Sequence, residues 1–175
     1  MKHTLAILVE NRFGELARIV GLFSARGYNL ESLTVAETLD PQISRITLVT
    51  TGDDGTVEKI VKQLEKQIRV LSVTNLTAMG HFEREMALIH VKAKAGPARQ
   101  EVVSIVNIFD AKVIDTSEAA MTIEVSGNRD KVDALLRMLG PFNILEVARA
   151  GTLAIGRLPA IRDQGAVVRE EIAAG

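Results

Sequence analysis

Asn11-Arg12-Phe13-Gly14-Glu15-Leu16 is the stretch whose residue types and spacing best suit a binding site. It stands where an apolar, strand-like run from Leu5 to Val9 gives way to a helical pattern. A helix that starts there presents free backbone N–H groups and the positive end of its dipole, which together favour a carboxylate or another small anion. Gly14 has no side chain to keep a ligand away from that backbone, and Asn11 offers an amide donor and a carbonyl acceptor. Asn29, after Gly27-Tyr28 at the far end of the same helical pattern, supplies a second amide. The same residues also suit two tight turns, and residue type alone leaves both readings open.

Catalytic chemistry finds little material elsewhere. There is no phosphate-binding loop, no dinucleotide fingerprint, no nucleophile elbow and no HExxH pair. With no cysteine in the chain, thiolate metal sites, disulfides and a cysteine nucleophile are excluded. His3, His81 and His90 are too scattered to suggest a zinc site. Asp53-Asp54-Gly55 lacks the alternate spacing and distal glutamate of a calcium loop and reads as a turn before a helix.

The elements that must position these residues follow from periodicity. Apolar residues recur at helical spacing in Leu16-Ile19-Val20-Phe23, Val57-Ile60-Val61-Leu64, Val102-Ile105-Val106-Phe109 and Val132-Leu135-Leu136-Leu139. Gly27 is placed to end the first helix, Pro97 to open the third and Asn128 to cap the fourth. Between them lie strand-like segments at 4–10, 30–38, 44–51, 70–77, 85–94, 111–116, 121–126 and 144–149. The order strand, helix, strand, strand, helix, strand occurs twice, over 1–78 and 83–150. The expected fold is therefore α+β, two tandem ferredoxin-like βαββαβ units with antiparallel sheets and helices on one face. Gly80-His81-Phe82 is the expected junction. A tail over 151–175 has no clear period before 166–172, where a short helix is expected.

Composition agrees with a packed chain: 47% of 175 residues are hydrophobic, so disorder is not expected. A formal net charge of -1 gives no global attraction to nucleic acid or anionic membrane. The apolar run behind Met1-Lys2-His3-Thr4 is too short for a secretory or membrane-spanning segment, and a cytoplasmic protein is expected. A unit of about 70 residues buries its apolar surface only marginally, so the units are expected to associate by edge pairing in a dimer, by packing on each other, or both.

The run Asn11-x-x-Gly14-x-Leu16-x-Arg18-x-x-Gly21-Leu22-Phe23-Ser24-x-Arg26-Gly27-Tyr28-Asn29-Leu30-Glu31-Ser32-Leu33-Thr34-Val35 closely resembles the N-terminal ACT domain of acetolactate synthase (acetohydroxyacid synthase) small regulatory subunits. Ser44-Arg45-Ile46-Thr47, Gln63-Leu64, Val70-Leu71, Glu83-Arg84-Glu85 and Ile144-Leu145-Glu146-Val147-Ala148-Arg149 with Gly151 extend the likeness to about residue 157. The resemblance implies an ACT regulatory domain at 1–78, a ferredoxin-like domain at 83–150 and no catalytic site. It implies a large catalytic subunit as partner, carrying thiamine diphosphate, Mg and FAD, that condenses two pyruvates to 2-acetolactate and CO2 or pyruvate with 2-ketobutyrate. It further implies a homodimer through ACT domains, and valine as feedback effector at their interface, within branched-chain amino acid biosynthesis. Carried onto this chain, the effector residues are Asn11, Gly14, Glu15, Leu16, Asn29 and Leu30, with Val35 as a further lining residue. Phe13 stands where the family more often has a small residue or proline, and a narrowed pocket favours valine over larger branched side chains.

Other uses of the fold fit less well. An RNA-binding unit needs aromatic residues on its central strands, and Leu5 to Val9 and Arg45 to Thr51 have none. The arginine-bearing phosphate loop of an acylphosphatase is not reproduced by Asn11-Arg12-Phe13-Gly14. A free-standing ACT-type amino-acid sensor, unattached to acetolactate synthase, is the nearer rival.

Overall fold

The computed structural model describes residues 1–158, and the helix expected at 166–172 lies outside them. The described chain forms two compact units, one from Met1–Phe82 joined by the chain from Thr152 onward, the other from Glu83–Gly151.

In the first unit, strands β1 (Lys2–Glu10), β2 (Asn29–Glu37), β3 (Ile43–Thr51) and β4 (Val70–Asn75) pair in the order β2-β3-β1-β4, each neighbour antiparallel. Helices α1 (Glu15–Arg26) and α2 (Asp54–Glu65) pack their apolar stripes on the sheet. Alternate strand residues Leu5, Ile7, Val9, Ile46 and Leu48 meet Ile19, Phe23, Val57, Ile60 and Leu64 in one core. The α2 stripe lies where periodicity puts it. The α1 stripe is rotated from expectation: Glu15, Ile19 and Phe23 are buried, while Leu16 is exposed. Glu15 can take the inward position because two partly exposed arginines, Arg69 and Arg18, pair with its carboxylate.

The second unit repeats the plan with β5 (His81–Lys92), α3 (Pro97–Ile108), β6 (Lys112–Thr116), β7 (Ala120–Gly127), α4 (Arg129–Leu139) and β8 (Ile144–Arg149). Its strands run β6-β7-β5-β8. Ile89, Val91, Ile123 and Val125 pack on Val102, Ile105, Val106, Val132, Leu135 and Leu139, so both helical stripes of this half are buried as expected. Glu85 is buried at one sheet margin, where Arg149 grips both its oxygens while sending Nη1 to Asp133 Oδ1 at 2.8 Å.

The units divide after Phe82, as the expected Gly80-His81-Phe82 junction has it, although β5 already starts at His81. The stretch after 150 differs from expectation: β9 (Leu153–Gly156) forms a strand that pairs with β5, and from Thr152 the chain is grouped with the first unit. Side chains from β2 and β3 hold its backbone, and Ala154 packs with Ala6 and Leu76 on the sheet face opposite the helices. An apolar sheet face left open to water costs free energy that this segment recovers. Next to β9, Arg157 N–H donates to Gly80 O at 2.9 Å and its guanidinium lies 4.7 Å from the Phe82 ring centre.

Candidate functional site

Glycine starts α1 because the backbone there is left-handed: Gly14 has φ 87°, a conformation that a β-carbon disfavours. No side chain caps this helix end, whereas Asp53 accepts from Thr56 N–H at 2.6 Å at the start of α2 and Asn128 from Lys131 N–H at 3.0 Å at the start of α4. A β-carbon built on Gly14 meets nothing within 4 Å, so the first turn of α1 faces open space. The uncapped N–H groups and the free approach are what an anion needs.

Charge is arranged beneath that turn. Glu15, 3% exposed, is held by Arg69 Nη1 at 2.9 Å and by Arg18 Nη1 at 3.2 Å. Glu10 takes Arg12 at 2.9 Å and lies 3.9 Å from Arg69 Nε. The Glu15 carboxylate is thus committed to internal pairing, which fixes the helix end against the β4 side of the sheet and does not present it to a ligand. Arg69 was missed by sequence reasoning. Its signal was its place just before the fourth strand, where it can reach back to the first helix.

Asn11 closes the other side of the loop. Its backbone N–H donates to Gln42 O, and its Nδ2 donates to Glu37 Oε1 at 3.0 Å and Pro41 O at 2.9 Å. The amide therefore ties the loop to the β2–β3 hairpin. Asn11 and Gly14 make the turn, and the turn leaves the helix end uncapped. Phe13 stands fully exposed at 105% and covers nothing in this chain.

The remaining predicted residues lie along β2. Asn29 donates from Nδ2 to Thr51 Oγ1 at 3.1 Å, and its carbonyl accepts from Thr50 Oγ1 at 2.5 Å. Leu30 packs partly on the helix-side core, and Val35 is 42% exposed on the edge strand. Asn29 pairs with Thr51 and Glu37 with Ser44, so Asn29 sits at one end of β2 and the Asn11 loop at the other. At about 3.3 Å per strand residue these ends are about 26 Å apart. The fold thus groups Asn11, Gly14, Glu15 and Leu16, and separately Asn29 with Leu30. No single chain joins the two groups. Strand β2 is at the edge of its sheet, so its outer backbone groups are available to a further strand.

Of the histidines, His90 and His81 have structural partners. His90 Nδ1 lies 3.5 Å from Glu146 Oε2 across paired strands, and His81 Nδ1 lies 2.9 Å from Met79 O. Among the described residues no group of three His, Cys, Asp or Glu side chains is placed to hold a metal, and no helix is long and apolar enough to cross a membrane.

Comparison with known proteins covers both units. Residues 5–72 match the family described as AHAS small subunit-like ACT domain, and residues 84–158 match that of the small subunit of acetolactate synthase. The acetolactate synthase small subunit of Aquifex aeolicus is 45% identical over 163 residues, 93% of this chain and 85% of that protein. Its counterpart in Mycobacterium bovis is 46% identical over 157 residues, 90% of this chain and 93% of that one. A solved structure of the acetolactate synthase small subunit from Thermotoga maritima superposes with a TM-score of 0.82 at 38% identity, over 90% of this chain and 98% of that chain.

Proposed function

The chain belongs to the family of acetolactate synthase small subunits, and from that premise we propose that it activates the large catalytic subunit and makes it sensitive to valine. Catalysis belongs to the large subunit, which carries thiamine diphosphate, Mg and FAD and forms 2-acetolactate and CO2 from two pyruvates. This chain supplies no cofactor and works with its partner in the cytoplasm. A stand-alone sensor reading is disfavoured because the likeness spans the second unit as well as the ACT domain.

The observation that carries the effector site is the division of the predicted residues between the two ends of an edge strand. A second copy pairing antiparallel along β2, with its two-fold axis near Leu33, puts Asn29 of one copy opposite Glu37 of the other. The Asn11 loop is bonded to that same Glu37. Such a homodimer joins the two half-sites that one chain keeps about 26 Å apart. Valine then lies between the copies. Its α-carboxylate meets the uncapped N–H groups after Gly14, and its α-amino group meets Asn11 Oδ1 and the Glu37 carboxylate. The isopropyl group packs on aliphatic walls from Leu16, Leu30 and Val35. Exposure of Leu16 and Val35 in the single chain supports this reading, because both have apolar surface left to bury.

Valine that bridges two copies shifts the dimer toward the arrangement it binds better, and the holoenzyme loses activation to the same extent. A coupling of about 1–3 kcal/mol suffices for regulation. Titration calorimetry with L-valine on Gly14→Asp and Gly14→Asn tests the site. Both variants bear the same backbone strain, but only aspartate sets a negative charge where the carboxylate docks. The expected outcome is loss of binding in Gly14→Asp and weaker but measurable binding in Gly14→Asn. Wild-type affinity in Gly14→Asp would remove the loop from the site.

A further inference from the structure

The strand that carries half of the proposed effector site is also gripped from its other face. Ser32 and Thr34 lie on β2 between Leu30 and Val35 and point opposite to Leu33, which packs on the helix-side core. Thr152 N–H donates to Ser32 Oγ at 2.9 Å, and Thr34 Oγ1 donates to Thr152 O at 2.8 Å. Arg45, opposite Ala36 on the neighbouring strand, donates from Nη2 to Ala154 O at 2.9 Å. Both backbone groups of Thr152 are therefore satisfied by hydroxyls of β2, and Thr152 and Ala154 are each only 6% exposed. The preceding residue, Gly151, is the last of the second unit and has φ 80°. The chain thus leaves the second unit and is clamped on β2 at its very next residue.

Strand β2 is well suited to transmit a change. Within one chain it is held by backbone pairing along one side only, and an irregularity interrupts its register between Leu30 and Ser32. Edge strands of this kind are among the less firmly held parts of a sheet. A ligand and a second copy that engage Asn29, Leu30 and Val35 must shift or stiffen the intervening Ser32 and Thr34. We infer that the Thr152 clamp is the coupling element of this subunit: effector occupancy at the β2 edge tightens docking of residues 152–156, and through Gly151 that change reaches the second unit. The inference rests on the valine reading above. Linkage makes it reciprocal, so loosening the clamp weakens valine binding by the same factor by which valine tightens the clamp.

Hydrogen exchange on the full-length chain, with and without L-valine, tests this, paired with calorimetry on the same samples. Valine is expected to slow exchange of the 152–156 amides by about threefold or more. Ser32→Ala/Thr34→Val removes the clamp from the β2 side and Thr152→Pro removes its donor from the other. Both are expected to bind valine about three to thirty times more weakly. Val61→Ala, a cavity in α2 away from the clamp, controls for general loosening and is expected to keep wild-type affinity. Valine that binds the wild type yet leaves 152–156 exchange unchanged, or binds both clamp variants with wild-type affinity, overturns the coupling while sparing the effector site. No valine binding to the wild type overturns the effector reading and the coupling with it.

Discussion

Glu15 shows how one buried residue sets the geometry of a loop. Its buried carboxylate holds Arg69 and Arg18 and so fixes the first turn of α1. Glu15→Gln keeps the shape but loses charge-assisted bonding, and leaves Arg69 facing Glu10 alone. It is expected to cost about 1–3 kcal/mol, read as a lower denaturation midpoint, because Arg69 is partly exposed and its pairing is screened. Position 14 was legible in the sequence because a glycine between a strand-like run and a helical pattern suits a turn, and glycine takes the left-handed backbone found there at the least cost. The role of Glu15 was not legible, since an acidic residue in a first helical turn normally faces solvent and Arg69 lies far along the chain. Leu16 fits the apolar stripe by spacing, but Glu15 takes the inward position in that turn and Leu16 lies outside.

At the scale of elements, each unit has one well-capped helix and one open one. The caps carry a pH signature. Thr56, through its side chain first and its backbone N–H second, holds the Asp53 carboxyl below the usual carboxylate range, and Lys62 does the same for Glu58. A carboxyl depressed in the folded state stabilises above its unfolded pKa and loses that contribution as pH falls through the folded value. Stability of α2 is therefore expected to drop as pH is lowered below about 4. Asp53→Asn still accepts the capping bond but does not titrate, so its melting temperature is expected to fall less steeply in acid than that of the wild type. In the second unit the Arg149 cluster plays the anchoring part, and pairing with Glu85 and Asp133 raises the arginine pKa further. Glu85→Ala strands a partly exposed guanidinium and is expected to lower unfolding free energy by about 1–3 kcal/mol in urea titration, against near-neutral change for exposed Glu101→Ala. The four helices were legible because their stripes are strictly periodic. β9 was not, since two glycines bracket four residues with no alternation of polar and apolar side chains, and the strand is held by pairing with β5 and by the Arg45 guanidinium on Ala154 O.

The whole molecule divides its work between the two units and a partner. The repeat of βαββαβ was written in the sequence twice, yet the first unit is completed only by the segment after the second. No local pattern shows that dependence, because it rests on a sheet face that needs cover. The candidate site has the same character. Its residues stand out one by one in the sequence, but the fold sets them at opposite ends of β2, and only the proposed pairing of two chains would bring them together. Acetolactate formation by the purified large subunit, measured alone, with this chain, and with this chain plus L-valine, tests the proposed regulatory role. Several-fold activation by the chain and its reversal by valine are expected. Activity that does not change when the chain is added, or activation that valine leaves untouched, would contradict it.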